Sequence, residues 1–306
     1  MKRTGAMILA IVMVLAMAVS VVGCKGSDNN GGSEDTNLNF GQELLTLTSQ
    51  LDALNGLKKG DADIAVIDSV MAGYYMNDTD EFKDYQVLEN VVFAEEQYGI
   101  AAKKGNEALM SKINEAIIAM VDTDYKTIAE KYGLATELLV KADTQNPYAE
   151  ATDSSWDDVV ADKELIIGYT LFAPIAYEEG DGADAKLVGF DIELAEAVVK
   201  YLNTTYETEL KVNFMVIDWD SKEALLENGT IDLVWNGMTI TEERLAGMTI
   251  SVPYLANKQV AIIAKADASK YSAADYDEFV ELAADAIIIV EKGSAGEGIV
   301  VPAEEE

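Results

Sequence analysis

The chain has 306 residues, 49% of them hydrophobic, enough for one large or two ordinary domains with a real core. Its formal net charge of −33 and pI near 4.1 exclude the basic face that nucleic-acid binding needs. Histidine is absent and cysteine occurs once, which removes the commonest general base, Ser-His and Cys-His pairs, intramolecular disulfides and thiolate metal clusters; no metal or other cofactor is expected.

Met1-Lys2-Arg3 is a positive start, and Ala6 to Val22 is apolar apart from Ser20. Together they read as an export signal, with an apolar run short for a spanning helix. The ending Val21-Val22-Gly23-Cys24 resembles a bacterial lipobox, and that resemblance implies cleavage before Cys24 and a lipid on its sulfur. An ordinary signal peptide or an uncleaved anchor is the alternative. Residues 25–37, rich in Gly, Ser and Asn, read as a flexible tether.

From Leu38 onward strands and helices alternate, which predicts an α/β fold. Leu44 to Thr48 is a short strand, Gln50 to Lys59 a helix ended by Gly60, and Asp63 to Ile67 a buried strand. Tyr98 to Ala102 is the next strand. Leu109, Ile113 and Ile117 mark one face of a helix over Asn106 to Val121, and a last helix over Tyr125 to Tyr132 stops at Gly133. Ala135 to Ser155 is polar and aperiodic, a connector. A second α/β stretch then gives strands at Leu165 to Gly168, Leu210 to Ile217, Ile231 to Trp235, Gln259 to Ala264 and Ala286 to Val290. Helices are expected over Phe190 to Leu202 and Ser221 to Asn228. Gly293-Ser294-Ala295-Gly296 reads as a turn into a helix start, where free N–H groups can meet an anion.

Past the leader, Arg244 is the only arginine; every other basic residue is lysine. Lysine suffices for surface charge, so the retained guanidinium points to bidentate capture of a carboxylate or phosphate. It follows Trp235-Asn236-Gly237-Met238-Thr239-Ile240-Thr241, a strand end and turn.

Several segments together resemble the extracytoplasmic solute-binding proteins of polar amino-acid ABC transporters. Leu187 to Ala195 (LVGFDIELA) resembles the signature near that family's amino end. Asn236 to Arg244 resembles its ligand loop, and Ser251-Val252-Pro253-Tyr254-Leu255 the strand that follows. Ile289 to Ala295 resembles the opening of its second lobe; Asp61 to Asp68 and Gln97 to Ala101 resemble the end of that lobe and the return crossing. The resemblance implies a type II periplasmic-binding-protein-like fold, two α/β lobes that close on a ligand by hinge bending.

The order of the segments departs from the family. Those that belong last come first, at 38–134, and those that belong first come second, at 156–306. A circular permutation is the economical reading, with residues 135–155 bridging the family's usual ends. One lobe is then 38–97 plus 264–306, the other 98–134 plus 156–263. A chimera of two broken copies, or two chains completing each other by exchange, stays open.

The resemblance places Arg244 on a ligand α-carboxylate, with the hydroxyl and N–H of Thr239, Ser294 and the N–H of Ala295. It places Asp68 and the carbonyl of Gly237 on the ammonium, and Phe172 and Trp219 as aromatic walls. Read from the residues alone, Asp68 and Ser294 can instead be helix N-caps, Thr239 a strand residue, and the two aromatics core packing. The family often carries an acid just before the position of Phe172; here the run is Thr170-Leu171-Phe172, which points to a neutral amino acid. The implied protein is a monomeric lipid-anchored carrier outside the cytoplasm, with an amino-acid ligand and an ABC permease as partners, and not an enzyme. A sensory or binding-defective lipoprotein on the same fold, or less readily an enzyme of the same scaffold, are the alternatives.

Overall fold

The computed structural model describes residues 38–180 and 182–302; the leader, Cys24 and the tether lie outside the described residues. Eleven strands form in the described chain: β1 Glu43–Leu47, β2 Ile64–Asp68, β3 Tyr85–Lys103, β4 Glu164–Tyr169, β5 Tyr177–Glu179, β6 Lys186–Val188, β7 Lys211–Val216, β8 Leu233–Thr239, β9 Met248–Ile250, β10 Leu255–Ala264 and β11 Ile287–Glu291. The fold is mixed α/β, as the alternation of patterns predicts.

Nine of the strands make one sheet in the order β1-β11-β2-β10-β3-β8-β4-β7, with β9 also paired to β3; β5 and β6 form a separate antiparallel pair. At one end β1, β11 and β2 run parallel. At the other β7, β4 and β8 run parallel. Between them β10 and β3 pair antiparallel, each also antiparallel to its outer neighbour. Parallel strands are covered on both faces, so they read as continuous apolar runs. Ile64-Ala65-Val66-Ile67 and Leu233-Val234-Trp235 fit that rule, and every residue of β2 and β8 is buried.

The two ends of the described chain meet in this sheet. Glu43 to Leu47 register against Ile287 to Glu291, and Ile288 and Ile289 against Ile64 and Ala65. The helix Gln50–Lys59 lies over β11 at a close approach: a Cβ on Gly56 would sit 2.5 Å from Ile289 Cδ1. A mid-helix glycine costs about 1 kcal/mol in propensity, and this contact explains why the position holds one.

The largest departure from the sequence expectation is β3, nineteen residues long where a strand over Tyr98 to Ala102 was expected. Its first part carries Glu89, Asn90, Glu95, Glu96 and Gln97 and is bonded mainly to β10, through a register that shifts twice. Half-exposed pairing with bulges leaves no clean period for a sequence pattern to show. The connector is packed rather than loose. Leu138 bridges to Leu255, Tyr148 donates its hydroxyl to Ile250 O at 3.0 Å, and Val140 is buried.

Ile289 is fully buried where β1, β11, β2 and the helix Gln50–Lys59 converge. Ile289→Ala should lower the free energy of unfolding by about 2–4 kcal/mol in urea titration. A loss below about 0.5 kcal/mol, the range of surface substitutions, would contradict the placing of β11 in the core.

Candidate functional site

Two strand ends and two turns supply the site. Strand β8 begins apolar and ends in Asn236-Gly237-Met238-Thr239, buried although three of the four residues are not large hydrophobics. Gly237 has φ +61, and a Cβ there would meet Phe172 Cε1 at 2.7 Å. Both facts demand glycine. Its N–H donates to Asp191 Oδ2 at 2.8 Å, so the turn is held by a buried carboxyl behind it. Thr241 caps the helix Glu242–Gly247 by accepting from Arg244 N, which puts the Arg244 side chain in the first turn.

The Arg244 guanidinium is nearly buried. It donates through Nη1 to Thr239 O at 2.7 Å and through Nη2 to Gly293 O at 3.1 Å. Among the described residues it has no carboxylate partner within 4.0 Å. A guanidinium has more donors than these two bonds use. Beside it Lys222 is also buried, donating to Trp219 O at 3.2 Å and Gly293 O at 3.1 Å, with Glu223 at 3.1 Å. Burial first, then the Arg244 charge, lowers the Lys222 pKa.

Asp68 ends β2 and is buried. It stands where a helix N-cap would, before Ser69–Gly73, but makes no side-chain capping bond. Its oxygens instead accept from the amides of Gln50, Asn257 and Gln259, the last at 2.6 Å. Burial, then the Glu96 carboxylate, raises its pKa to about 7 against those bonds. Glu96 Oε2 accepts from Asn257 at 3.0 Å, Gln259 at 2.9 Å and the Thr239 hydroxyl at 2.9 Å. A hydrogen-bonded chain therefore runs from Arg244 through Thr239, Glu96 and the two amides to Asp68.

One narrow cavity is lined by all eight residues singled out from the sequence: Arg244, Thr239, Gly237, Asp68, Ser294, Ala295, Phe172 and Trp219. Its free space of about 20 Å³ is room for about one water molecule. Ser294 is an N-cap as well, accepting from Glu297 N at 3.2 Å. Phe172 and Trp219 are buried, and the Phe172 ring lies 6.3 Å from that of Tyr98. Gln50, Thr170, Leu171, Asn236 and Glu291 complete the lining.

Sequence reasoning missed Glu96, Asn257, Gln259, Gln50, Lys222, Asp191 and Glu291. Buried polar residues inside strands are the signal that could have found Asn257 and Gln259. They interrupt the apolar run of β10 at alternate positions, so both face one side of the sheet.

Residues 165–296 match the model of the bacterial extracellular solute-binding proteins, family 3. The match covers less than half of the chain. Among curated proteins the chain is similar to the arginine-binding extracellular protein ArtP of Bacillus subtilis (strain 168), 37% identical over 115 residues, which are 37% of this chain and 40% of ArtP. The probable ABC transporter extracellular-binding protein YckB of the same organism is 25% identical over 146 residues, 47% of this chain and 48% of YckB. Among solved structures, an ABC uptake transporter substrate binding protein from Streptococcus pneumoniae with bound histidine shares 36% identity over 31% of this chain and 35% of its own, with a TM-score of 0.26. The chain thus spans at most about half the length of these curated relatives. Asp68 lies outside the segment that matches the family model, yet lines the same cavity as Arg244.

Asp191 gives this half of the site a pH dependence. Burial raises its pKa from 3.8 to about 7, against bonds from Tyr254 Oη and Gly237 N. The folded protein therefore holds this proton more tightly than the unfolded chain does. The associated stability is fully present below the unfolded pKa and is lost as pH rises through about 7. Asp191→Asn, neutral throughout, should lose less melting temperature than the parent between about pH 5 and about pH 8. Equal losses in parent and variant would show that Asp191 does not carry this proton.

Proposed function

We propose that the protein captures an amino acid in the cavity at Arg244 and Asp68 and hands it to an ABC permease. The observation that carries this reading is the meeting, in one cavity, of a buried aspartate and a nearly buried guanidinium that has no carboxylate partner among the described residues. A free α-amino acid offers the complement to each. Its carboxylate suits Arg244, the Thr239 hydroxyl and N–H, Ser294 and the Ala295 N–H. Its ammonium suits Asp68 and the Gly237 carbonyl, with Phe172 and Trp219 as walls for the side chain. The ligand in ArtP's printed name, arginine, is an amino acid too.

The cavity is too narrow for such a ligand as it stands. Entry requires the parts to move, and we assign the moving bodies as 38–97 plus 264–306 against 98–134 plus 156–263. Strands β3 and β10 run between them and are the hinge of this scheme. We read the chain order as a circular permutation. In support, β1 and β11 pair in parallel although they come from the two ends of the described chain, and the family match covers only 165–296. A linear family model meets one block of a permuted chain and loses the other.

The leader and Cys24 place the protein, in this proposal, outside the cytoplasm on a lipid anchor, with residues 25–37 as a tether and a monomer as the working unit. It binds and releases without turnover.

A thermal-shift screen of the twenty amino acids should find at least one that raises the melting temperature, with calorimetry giving micromolar or tighter binding, about −8 kcal/mol or better. Arg244→Lys should bind that amino acid about 100-fold more weakly, because an ammonium cannot present the planar fork, while still melting cooperatively. Unchanged binding by Arg244→Lys would remove the site assignment. A cooperative melt that no amino acid shifts would favour the sensory or binding-defective reading.

A further inference from the structure

Glu291 is the acid in this cavity that no ligand backbone accounts for. It ends β11, paired with Leu47 of β1, and is 4% exposed. It lines the cavity with Asp68 and Arg244. Its Oε1 is enclosed and has no hydrogen-bond partner among the described residues. The charged groups that face it are Asp68, Lys222 and Arg244. Both cations are engaged elsewhere: Lys222 with Trp219 O, Gly293 O and Glu223, and Arg244 with Thr239 O and Gly293 O.

Along the lining, Asp68 and Glu291 are acidic and Arg244 is basic. An amino-acid backbone brings one carboxylate for Arg244 and one ammonium for Asp68 but no partner for Glu291, whose neighbouring cation Lys222 is held by Trp219 O, Gly293 O and Glu223. A buried carboxylate with a bare oxygen is costly unless it takes up a proton or meets a cation. We propose that Glu291 reads the ligand's side chain, and that the ligand is an amino acid whose side chain carries a positive charge. This rests on the amino-acid reading above and gives it a substrate class. It reverses the expectation of a neutral ligand drawn from Thr170-Leu171-Phe172. That expectation looked for the acid at one place in the sequence, whereas the fold brings one in from β11. Burial, then the Asp68 carboxylate, raises the Glu291 pKa to about 8. Glu291 can thus hold a proton where the proposal puts a ligand cation.

The test is calorimetry on the full chain and on Glu291→Gln at about pH 8, with lysine and arginine set against glutamine and norleucine. The parent should bind a cationic amino acid at least about tenfold more tightly than either neutral one. Glu291→Gln should weaken the cationic ligand about 30-fold or more, the loss expected when one partner of a buried charge pair is removed, and leave the neutral ones within about threefold. Glutamine or norleucine binding best to the parent would overturn the proposal while leaving the amino-acid reading intact. So would a cationic preference that survives Glu291→Gln. Failure of all four, and of every other amino acid, to bind the parent would overturn both. Should Glu291→Gln not fold, the parent's ranking of the four ligands decides.

Discussion

The structure depends on one hydrogen-bonded chain that joins a buried guanidinium to a buried carboxyl. It starts at Arg244, passes through the main chain and hydroxyl of Thr239 to Glu96, and reaches Asp68 through Asn257 and Gln259. Glu96 lies on β3, and Asn257 and Gln259 lie on β10, the two strands at the middle of the sheet. Polar residues at such positions would ordinarily destabilise strands that need apolar faces. They persist here because each finds a partner for at least one of its polar atoms, and such a network rigidifies its surroundings. Asp68 depends on the network most. With burial pushing its pKa up, the bonds from Gln50, Tyr98 and Asn257 are what favour its charged form near neutral pH.

The overall fold was legible wherever burial on both faces leaves a plain signature. The helix Gln50–Lys59 has the bounds its pattern predicts, because Ser49 caps it and Gly60 ends it. Strands β2, β8 and β11 appear within a few residues of their apolar runs. What stayed hidden is half-exposed or short. The first part of β3 alternates poorly, and the helices Glu242–Gly247 and Tyr276–Leu282 are too short to show a period. Among the cavity residues, Arg244 stood out by composition alone, Ser294 and Ala295 lay in a turn already read as a helix start that can meet an anion, and the other five came from family resemblance. Glu291 and Lys222 did not stand out, because in a chain with 55 acidic residues and 20 lysines no single charge is conspicuous until its burial is known.

The segment at Gly293 is where the two ends of the sheet touch through polar contacts. Its carbonyl accepts from both Arg244 and Lys222, and the neighbouring Lys292 pairs with Asp220 at 2.8 Å. The Lys292–Asp220 pair is substantially exposed, so it contributes little. The Gly293 carbonyl bonds matter more, because both donors are buried cations that burial penalises unless they find an acceptor.

That arrangement bears on how a ligand could act. The Arg244 guanidinium already grips the Gly293 carbonyl across the cavity. In the proposed reading, an incoming carboxylate favours closure only if it adds to that grip instead of replacing it, since a ligand shifts a conformational equilibrium only by its differential affinity for the two states. The unused N–H groups of Arg244 permit the addition, and a lysine at that position, with its compact head, would have to choose between the carbonyl and the ligand. The requirement to hold both at once is a physical reason for one guanidinium in a chain otherwise content with lysine.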